Sequence, residues 1–127
     1  HSLTNINILG PLYGQDKVRE LSKSHVFVLP TRYKNECFPI SILEAMSVGL
    51  SVISTDEGAI PDIISDGVNG NILKELSPES LAAAMEVYIL DPLIFEKYAA
   101  ENIHKFNRLY TNIAFEEALC RVFQKTI

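Results

Sequence analysis

The chain has 127 residues, enough for one domain that buries an ordinary core without disulfides or metals. Hydrophobic residues make up 47%, charged residues 21%, and the formal net charge is −5, which is typical of a soluble globular protein and argues against nucleic acid or an anionic membrane surface as a partner. No apolar run approaches the roughly 20 residues of a membrane span, and no signal peptide precedes the first strand-like segment. We therefore expect a cytoplasmic protein, and we expect its two cysteines, Cys37 and Cys120, to be reduced.

The first half of the chain alternates short β-rich runs with helical patterns. The runs Ile6–Gly10 and His25–Pro30 flank a polar segment with the apolar spacing of a short amphipathic helix, which predicts a βαβ unit. Further strands are predicted at Leu50–Thr55 and Gly70–Lys74. These runs are almost continuously apolar, as in strands that helices cover on both faces. The pattern therefore predicts the α/β class, with a Rossmann-like parallel sheet flanked by helices.

From Ser77 onward the pattern is all-helical. Ser77 has the features of an N-cap, the Asp91-Pro92 pair ends the first helix of this segment, and Thr111 opens the last one. The last helix carries an apolar stripe from Phe115 to Phe123. We interpret this stripe as ordinary core, with partial exposure of the same face as the alternative.

Two glutamates, Glu36 and Glu44, flank a proline in the segment ECFPISILE. Pro39 is favoured at the first helical position, so Glu36 is predicted to lie in the loop before the helix. Phe38 then takes the N-cap position, where its side chain cannot accept a hydrogen bond, and the uncapped end attracts an anion such as phosphate. The loop also follows the carboxyl end of a strand, where α/β sheets bind ligands. The structural alternative is that Glu36 caps the helix and Glu44 is a solvated surface residue.

The stretch from Val26 to Leu73 carries a denser pattern around these glutamates. They are separated by seven residues, the second opens a Glu-Ala-Met triplet, and a segment rich in glycine follows. The residues that match are Glu36, Glu44, Ala45, Met46, Gly49, Gly58, Pro61, Asp62, Gly67, Asn69 and Gly70. The pattern resembles the donor-binding half of the GT-B retaining glycosyltransferases of the glycogen-synthase-like, mannosyltransferase-like family, the group 1 glycosyl transferases.

The resemblance implies a role for each matched position. Glu36 would be the catalytic residue that positions the donor sugar through its hydroxyls, and Glu44 would bind the ribose of the nucleotide. Leu12 would lie near the nucleobase. For Gly58 two interpretations remain: it forms a wall of the donor pocket, or it serves only a turn. The backbone that would contact the sugar and the diphosphate comprises Cys37, Phe38, Pro39 and Ile40.

Three features depart from the family pattern. Cys37 stands where the family usually has glycine, and Gly58-Ala59 stands where a Gly-Gly pair is often found. The basic Arg/Lys pair that neutralises the leaving diphosphate belongs to an earlier loop of the family. Arg32 and Lys34 either take its place or form a solvated face. We therefore expect no transferase activity from this chain alone, because its acceptor domain is missing as well.

The resemblance also implies the setting of the reaction. We expect a single donor-binding domain fragment, with an α/β nucleotide-sugar-binding core in residues 1–76 and C-terminal helices in residues 77–127. The enzyme would transfer a hexose from an NDP-sugar to a glycan or lipid acceptor, without a metal or other cofactor. Its partners would be an N-terminal acceptor domain in cis and, through the full-length protein, a membrane surface. Two alternatives are a non-catalytic nucleotide-sugar-binding or interaction module and a GT-B-like sugar-nucleotide epimerase.

Overall fold

The computed structural model describes residues 5–124. In chain order the elements are α1 (Gly14–Ser22), β1 (Val26–Leu29), α2 (Ile40–Ser47), β2 (Ser51–Thr55), α3 (Ile60–Ile63), β3 (Gly70–Leu73), α4 (Pro78–Leu90), α5 (Pro92–Leu109) and α6 (Asn112–Gln124). The strands form a parallel sheet in the order β1-β2-β3. The predicted α/β class and all-helical C-terminal segment are therefore confirmed.

Helices cover both faces of the sheet. Successive residues of a strand point to opposite faces, and Val52 of β2 accordingly packs with Ile42 of α2 in one hydrophobic cluster. Ile53, the next residue, packs with Tyr88 of α4 and Tyr98 of α5 in a second cluster. All five residues of β2 are buried, because it is the central strand. This double coverage explains the continuous apolar runs of the sequence.

The long helix α5 joins the two faces. Near its start, Ile94 and Phe95 pack against the cluster that contains Ile53, whereas Phe106, near its end, packs against the cluster that contains Val52. With 18 residues the helix is about 27 Å long, enough to reach from one cluster to the other. A single helix therefore contributes to both halves of the core.

A buried pair of amide side chains, Asn102 and Asn69, ties α5 to the segments that lead into β2 and β3. Asn102 Nδ2 donates to the carbonyl oxygens of Leu50 and Asn69, at 2.7 and 2.9 Å, and its Oδ1 accepts from Asn69 Nδ2 at 2.8 Å. One turn later, Lys105 Nζ donates to the Ile63 carbonyl at 2.6 Å, which satisfies a carbonyl at the end of α3. Burial lowers the pKa of Lys105. No buried side-chain polar atom within residues 5–124 lacks a hydrogen-bond partner.

The predicted strand Ile6–Gly10 is wrong, and the first βαβ unit is wrong with it. These residues form no strand, and Ile6, Ile8 and Leu9 are exposed. Strand geometry is stable only where the backbone pairs with a neighbour. Among the described strands β1 pairs with β2 alone, so the segment joins no ladder. The apolar pattern is that of a strand, but the pattern does not supply a partner.

The interpretation of the α6 stripe as core is also wrong, and its exposed alternative is confirmed. Phe115 is 66% exposed and Phe123 is 63% exposed. Among the described elements the helix packs mainly on α5, which leaves much of its apolar face exposed. Within residues 5–124, no helix combines the length and the apolar character that crossing a membrane requires.

Candidate functional site

The helix α2 begins at Ile40, and its N-cap is Pro39 rather than Phe38, which corrects the predicted start by one residue. Pro39 has a helix-compatible φ of −73°, but its ψ of 99° is extended. Its carbonyl accepts the first bond, from the Ile42 N–H at 3.0 Å. Proline has no side-chain acceptor, so the end is uncapped, as the sequence predicted for a different residue.

Backbone donors are free at this end of α2. Between residues 37 and 41, each of the four N–H groups lacks an acceptor within residues 5–124, namely those of Cys37, Phe38, Ile40 and Ser41. Those of Ile40 and Ser41 lie at the positive end of the helix dipole, and free N–H groups at such an end suit an anion with several oxygens. The end of α2 thus offers a row of donors to a ligand.

Glu36 is held by its backbone, while its carboxylate is unpaired. Its N–H donates to the Tyr33 carbonyl at 3.0 Å, and its own carbonyl accepts from the Ala59 N–H at 3.2 Å. The half-buried side chain has no hydrogen bond or ion pair with any of residues 5–124, and it does not cap α2. The capping alternative is therefore wrong. The carboxylate is free to accept hydrogen bonds from a ligand.

Gly58 brings the loop after β2 against Glu36. Its φ is +54°, a conformation that residues with a side chain rarely adopt. A Cβ at this position would overlap the Glu36 carbonyl oxygen and lie 2.7 Å from the Glu36 carbonyl carbon. To the two interpretations of Gly58 from the sequence, the structure adds a third, a close backbone contact with the loop that carries Glu36.

Glu44 lies in the second turn of α2 and pairs with Lys17 of α1. Lys17 Nζ donates to Glu44 Oε1 at 2.5 Å, with about a third of each side chain exposed, 36% and 35%. Lys23, by contrast, pairs with Glu20 inside α1. Sequence reasoning missed Lys17, because nothing in the polar run of α1 distinguishes it from Lys23. Only the tertiary structure, which brings Lys17 to Glu44, reveals the pair.

The loop between β1 and α2 is braced by buried hydroxyls of β2. Ser54 Oγ donates to the Leu29 carbonyl at 2.7 Å, and Thr55 Oγ1 donates to the Thr31 carbonyl at 2.8 Å. Both donors are nearly inaccessible to solvent. These bonds anchor the loop at the carboxyl edge of the sheet, the edge at which the sequence predicts a ligand.

Arg32 and Lys34 lie in a neighbouring cleft. It has a volume of about 310 Å³ and is lined by residues from the ends of all three strands, but by none of residues 36–41. The Arg32 guanidinium donates to the Leu76 carbonyl at 2.8 Å. Arg32 therefore connects the loop to the segment after β3, and it is not directed at the free donors of α2.

The remaining predicted site residues take varied positions. Cys37 is an exposed free thiol, as is Cys120, which confirms that the two do not form a disulfide. The Phe38 ring contacts Tyr110 edge to face, with 5.8 Å between centroids, and Pro39 is buried. Ile40 is 68% exposed at the helix start, and Leu12 is half-buried just before α1. No three of the described His, Cys, Asp and Glu residues group as metal ligands would.

Solved structures share this fold. Sucrose-phosphate synthase from Thermosynechococcus elongatus matches with a TM-score of 0.73 and 20% identity, over 84% of this chain and 26% of the synthase. The Anabaena protein HepE, solved in complex with UDP-glucose, matches with a TM-score of 0.74 and 15% identity, over 84% of this chain and 29% of HepE. The fold is thus that of a part of the GT-B glycosyltransferases.

The sequence places the chain in a family. Residues 2–106 match the family model described as glycosyl transferases group 1, and the chain belongs to that family. Alpha-maltose-1-phosphate synthase from Mycobacterium tuberculosis is 33% identical over 86 residues, which cover 61% of this chain and 21% of that synthase. Sucrose synthase 5 from Arabidopsis thaliana is 34% identical over 89 residues, 67% of this chain and 10% of the plant enzyme. The chain therefore spans only a small part of the relatives it matches.

Proposed function

We propose that this chain is the nucleotide-sugar-binding part of a retaining glycosyltransferase, which transfers a hexose from an NDP-sugar to a glycan or lipid acceptor. The observation that carries the proposal is the uncapped end of α2. There, the unpaired N–H groups stand in the chain between Glu36, whose carboxylate is free among residues 5–124, and Glu44, whose carboxylate pairs with Lys17. Donors for a diphosphate and acceptors for hydroxyls are the two kinds of group that an NDP-sugar requires.

The diphosphate would bind at the start of α2. The N–H groups of Cys37, Phe38, Ile40 and Ser41 donate to its oxygens, and the helix dipole stabilises its charge. These donors are held in place before the ligand arrives, since β2 hydroxyls anchor the preceding loop. Preorganised donors stabilise a developing leaving-group charge without reorganisation during the reaction.

The two glutamates would bind the two ends of the donor. Glu36 accepts hydrogen bonds from the sugar hydroxyls and positions the anomeric carbon, and Glu44 accepts from the ribose hydroxyls. Gly58 lies beside Glu36, whereas Leu12 contacts the nucleobase. The UDP-glucose bound to HepE, a protein of the same fold, supports a nucleotide sugar as the ligand.

The rest of the proposal concerns the whole protein. Residues 1–76 form the nucleotide-sugar-binding core and residues 77–127 its C-terminal helices. An N-terminal domain in cis binds the acceptor, in a cytoplasmic protein that associates peripherally with a membrane. Transfer requires no bound metal, so excess EDTA is expected to leave the turnover of the intact protein unchanged. Loss of turnover that Mg²⁺ or Mn²⁺ restores would contradict this.

Titration calorimetry of the intact protein with UDP, GDP and ADP tests the site. We expect one nucleoside diphosphate to bind, and Glu44→Ala to abolish that binding because the ribose loses its acceptor. Glu86→Ala, on the exposed surface of α4, is the matched control and leaves binding unchanged. The proposal fails if none of the three nucleotides binds, or if Glu44→Ala binds like the wild type.

Turnover distinguishes the proposal from its alternatives. With a panel of UDP-, GDP- and ADP-sugars, the intact protein is expected to release nucleoside diphosphate and transfer the sugar, whereas the 127-residue chain alone turns nothing over. Binding without turnover of the intact protein would support a non-catalytic module. Conversion of one NDP-sugar into its epimer would support an epimerase.

A further inference from the structure

We propose that Gly58 is a positioning residue, which acts through the backbone of Glu36 and sets where the Glu36 carboxylate lies in the donor site. This inference rests on the proposed function, because it assumes that Glu36 contacts the donor sugar. It assigns to Gly58 a role other than contact with the donor.

The contact between the two loops is tighter at Gly58 than a side chain allows. An added Cβ would overlap the Glu36 carbonyl oxygen, and it would lie 2.7 Å from the carbonyl carbon and 3.2 Å from the Glu36 Cβ. Carbon atoms that are not bonded normally stay about 3.5–4.0 Å apart. A side chain at position 58 would therefore push Glu36 away by an ångström or so.

Neighbouring bonds carry this displacement to the Glu36 carboxylate. The Glu36 carbonyl accepts from the Ala59 N–H at 3.2 Å, so residue 59 holds the same group that a Cβ at position 58 would displace. The Glu36 N–H is bonded to the Tyr33 carbonyl at 3.0 Å. With one peptide group held and the other pushed, the residue rotates about its backbone. The carboxylate, which is not bonded to any side chain among residues 5–124, moves with it.

Two other glycines show that the positive φ of Gly58 and its close contact with Glu36 are separate features. Gly67 also has a positive φ, +74°, but nothing lies within 4 Å of an added Cβ. An added Cβ at Gly70 would meet the Val52 carbonyl inside the sheet, so that position serves the core. Only at Gly58 does the close contact fall on a residue of the candidate site.

The test compares two ligands in the intact protein. Titration calorimetry measures UDP and UDP-glucose, GDP and GDP-mannose, or ADP and ADP-glucose, whichever pair the wild type binds. In Gly58→Ala we expect the affinity for the NDP-sugar to fall about tenfold relative to the affinity for the matching NDP, which has no sugar to contact Glu36. Turnover falls about 100-fold, the effect expected when a catalytic group is displaced by about 1 Å.

Two variants control the comparison. Gly67→Ala carries the same kind of backbone cost without the contact, and it is expected to leave the ratio of the two affinities unchanged. Adding Gly58→Ala to Glu36→Gln is expected to cause no further loss of NDP-sugar affinity, since both changes act through one carboxylate.

A measurement on the wild type covers the case in which Gly58→Ala does not fold. Bound NDP-sugar should slow hydrogen exchange in the peptide that carries Ala59 more than bound NDP does, because the sugar restrains Glu36 and the Ala59 N–H is bonded to it. Equal protection by the two ligands overturns the proposal. Additive losses in the double variant, or equal weakening of both ligands by Gly58→Ala, also overturn it. If the wild type binds neither ligand, the proposed function itself fails. If the wild type binds both ligands and one of the results above is found, only the role of Gly58 fails, so the two failures are distinguishable.

Discussion

Two helix ends in this protein differ in whether their backbone polar groups have hydrogen-bond partners. At the C-terminal end of α3, the Ile63 carbonyl accepts from Lys105 Nζ at 2.6 Å and from Asn69 Nδ2 at 3.2 Å. At the N-terminal end of α2, several N–H groups and the Glu36 carboxylate have no partner among residues 5–124. Side chains of the protein close the first end, and the second is open to a ligand.

The difference separates stability from function. A buried polar group without a partner costs about 1–3 kcal/mol, so the bonds at the closed end are needed for the fold. The groups at the open end are reached by solvent and contribute little to stability in the absence of a ligand. Substitutions at the closed end should therefore change the free energy of unfolding, and substitutions at the open end should change binding and turnover.

Glu36→Gln is expected to have the largest effect, which falls on turnover and sugar binding and not on stability. The loss of one group that stabilises the transition state commonly lowers the rate by about 100- to 1,000-fold. The free energy of unfolding should change by less than about 0.5 kcal/mol, because the side chain has no partner to lose among residues 5–124. Turnover of labelled donor by the intact protein and urea unfolding measure the two quantities. Glu57→Gln, in the next loop, is the control, and a clear loss of stability in Glu36→Gln would break the comparison.

Asn102→Leu is expected to have the opposite effect. It removes the Asn102 donor from the Leu50 and Asn69 carbonyls and one of the two acceptors of Asn69 Nδ2, so the free energy of unfolding should fall by about 3 kcal/mol. Urea unfolding measures this loss, and NDP affinity below the transition should be unchanged. Asn107→Leu, on the exposed side of the same helix, should leave stability nearly as in the wild type. Equal stability of the two variants would show that the amide pair does not hold α5 in place.

Lys17→Met tests the one ion pair that reaches the open end among the described residues. We expect NDP affinity to fall by about fivefold or less, the range for a partly exposed pair, because Lys17 holds the Glu44 carboxylate. The 2′,3′-dideoxy NDP has no ribose hydroxyls for Glu44, so its affinity should not change. Lys23→Met, which breaks a pair within α1, is the control. Tighter NDP binding in Lys17→Met would mean that Lys17 competes with the ribose.

Tyr88→Phe is expected to have the smallest effect, limited to alkaline pH. Burial raises the pKa of Tyr88 above its ordinary value of 10.0, and Tyr88 Oη donates to Asn71 Oδ1 at 2.6 Å. Above pH 10 the unfolded tyrosine loses its proton before the folded one, so the unfolded state binds fewer protons and stability falls as pH rises. Urea unfolding between pH 8 and about 11 should show a shallower decline in Tyr88→Phe. An unchanged decline would assign it to other groups.

The sequence predicted those elements that depend on local signals. Ser77 accepts from the Ser80 N–H as an N-cap, and the Asp91-Pro92 break separates α4 from α5, as expected from the residue types alone. The strand at Ile6–Gly10 and the burial of the α6 stripe were predicted wrongly for a shared reason. Whether an apolar run becomes a strand or core depends on what lies beside it, and a run of residues does not contain that information.

The features of the candidate site likewise fall into those that local sequence signals predict and those that depend on the tertiary structure. The sequence by itself determined the helix start near Pro39, its uncapped end and the two glutamates around it, because proline geometry and the family pattern are local. The Lys17–Glu44 pair and the contact of Gly58 with Glu36 were decided by the tertiary structure. Each joins residues far apart in the chain, which meet only when the chain packs into its tertiary structure. Distances between separate elements are properties of that packing, and no local pattern encodes them.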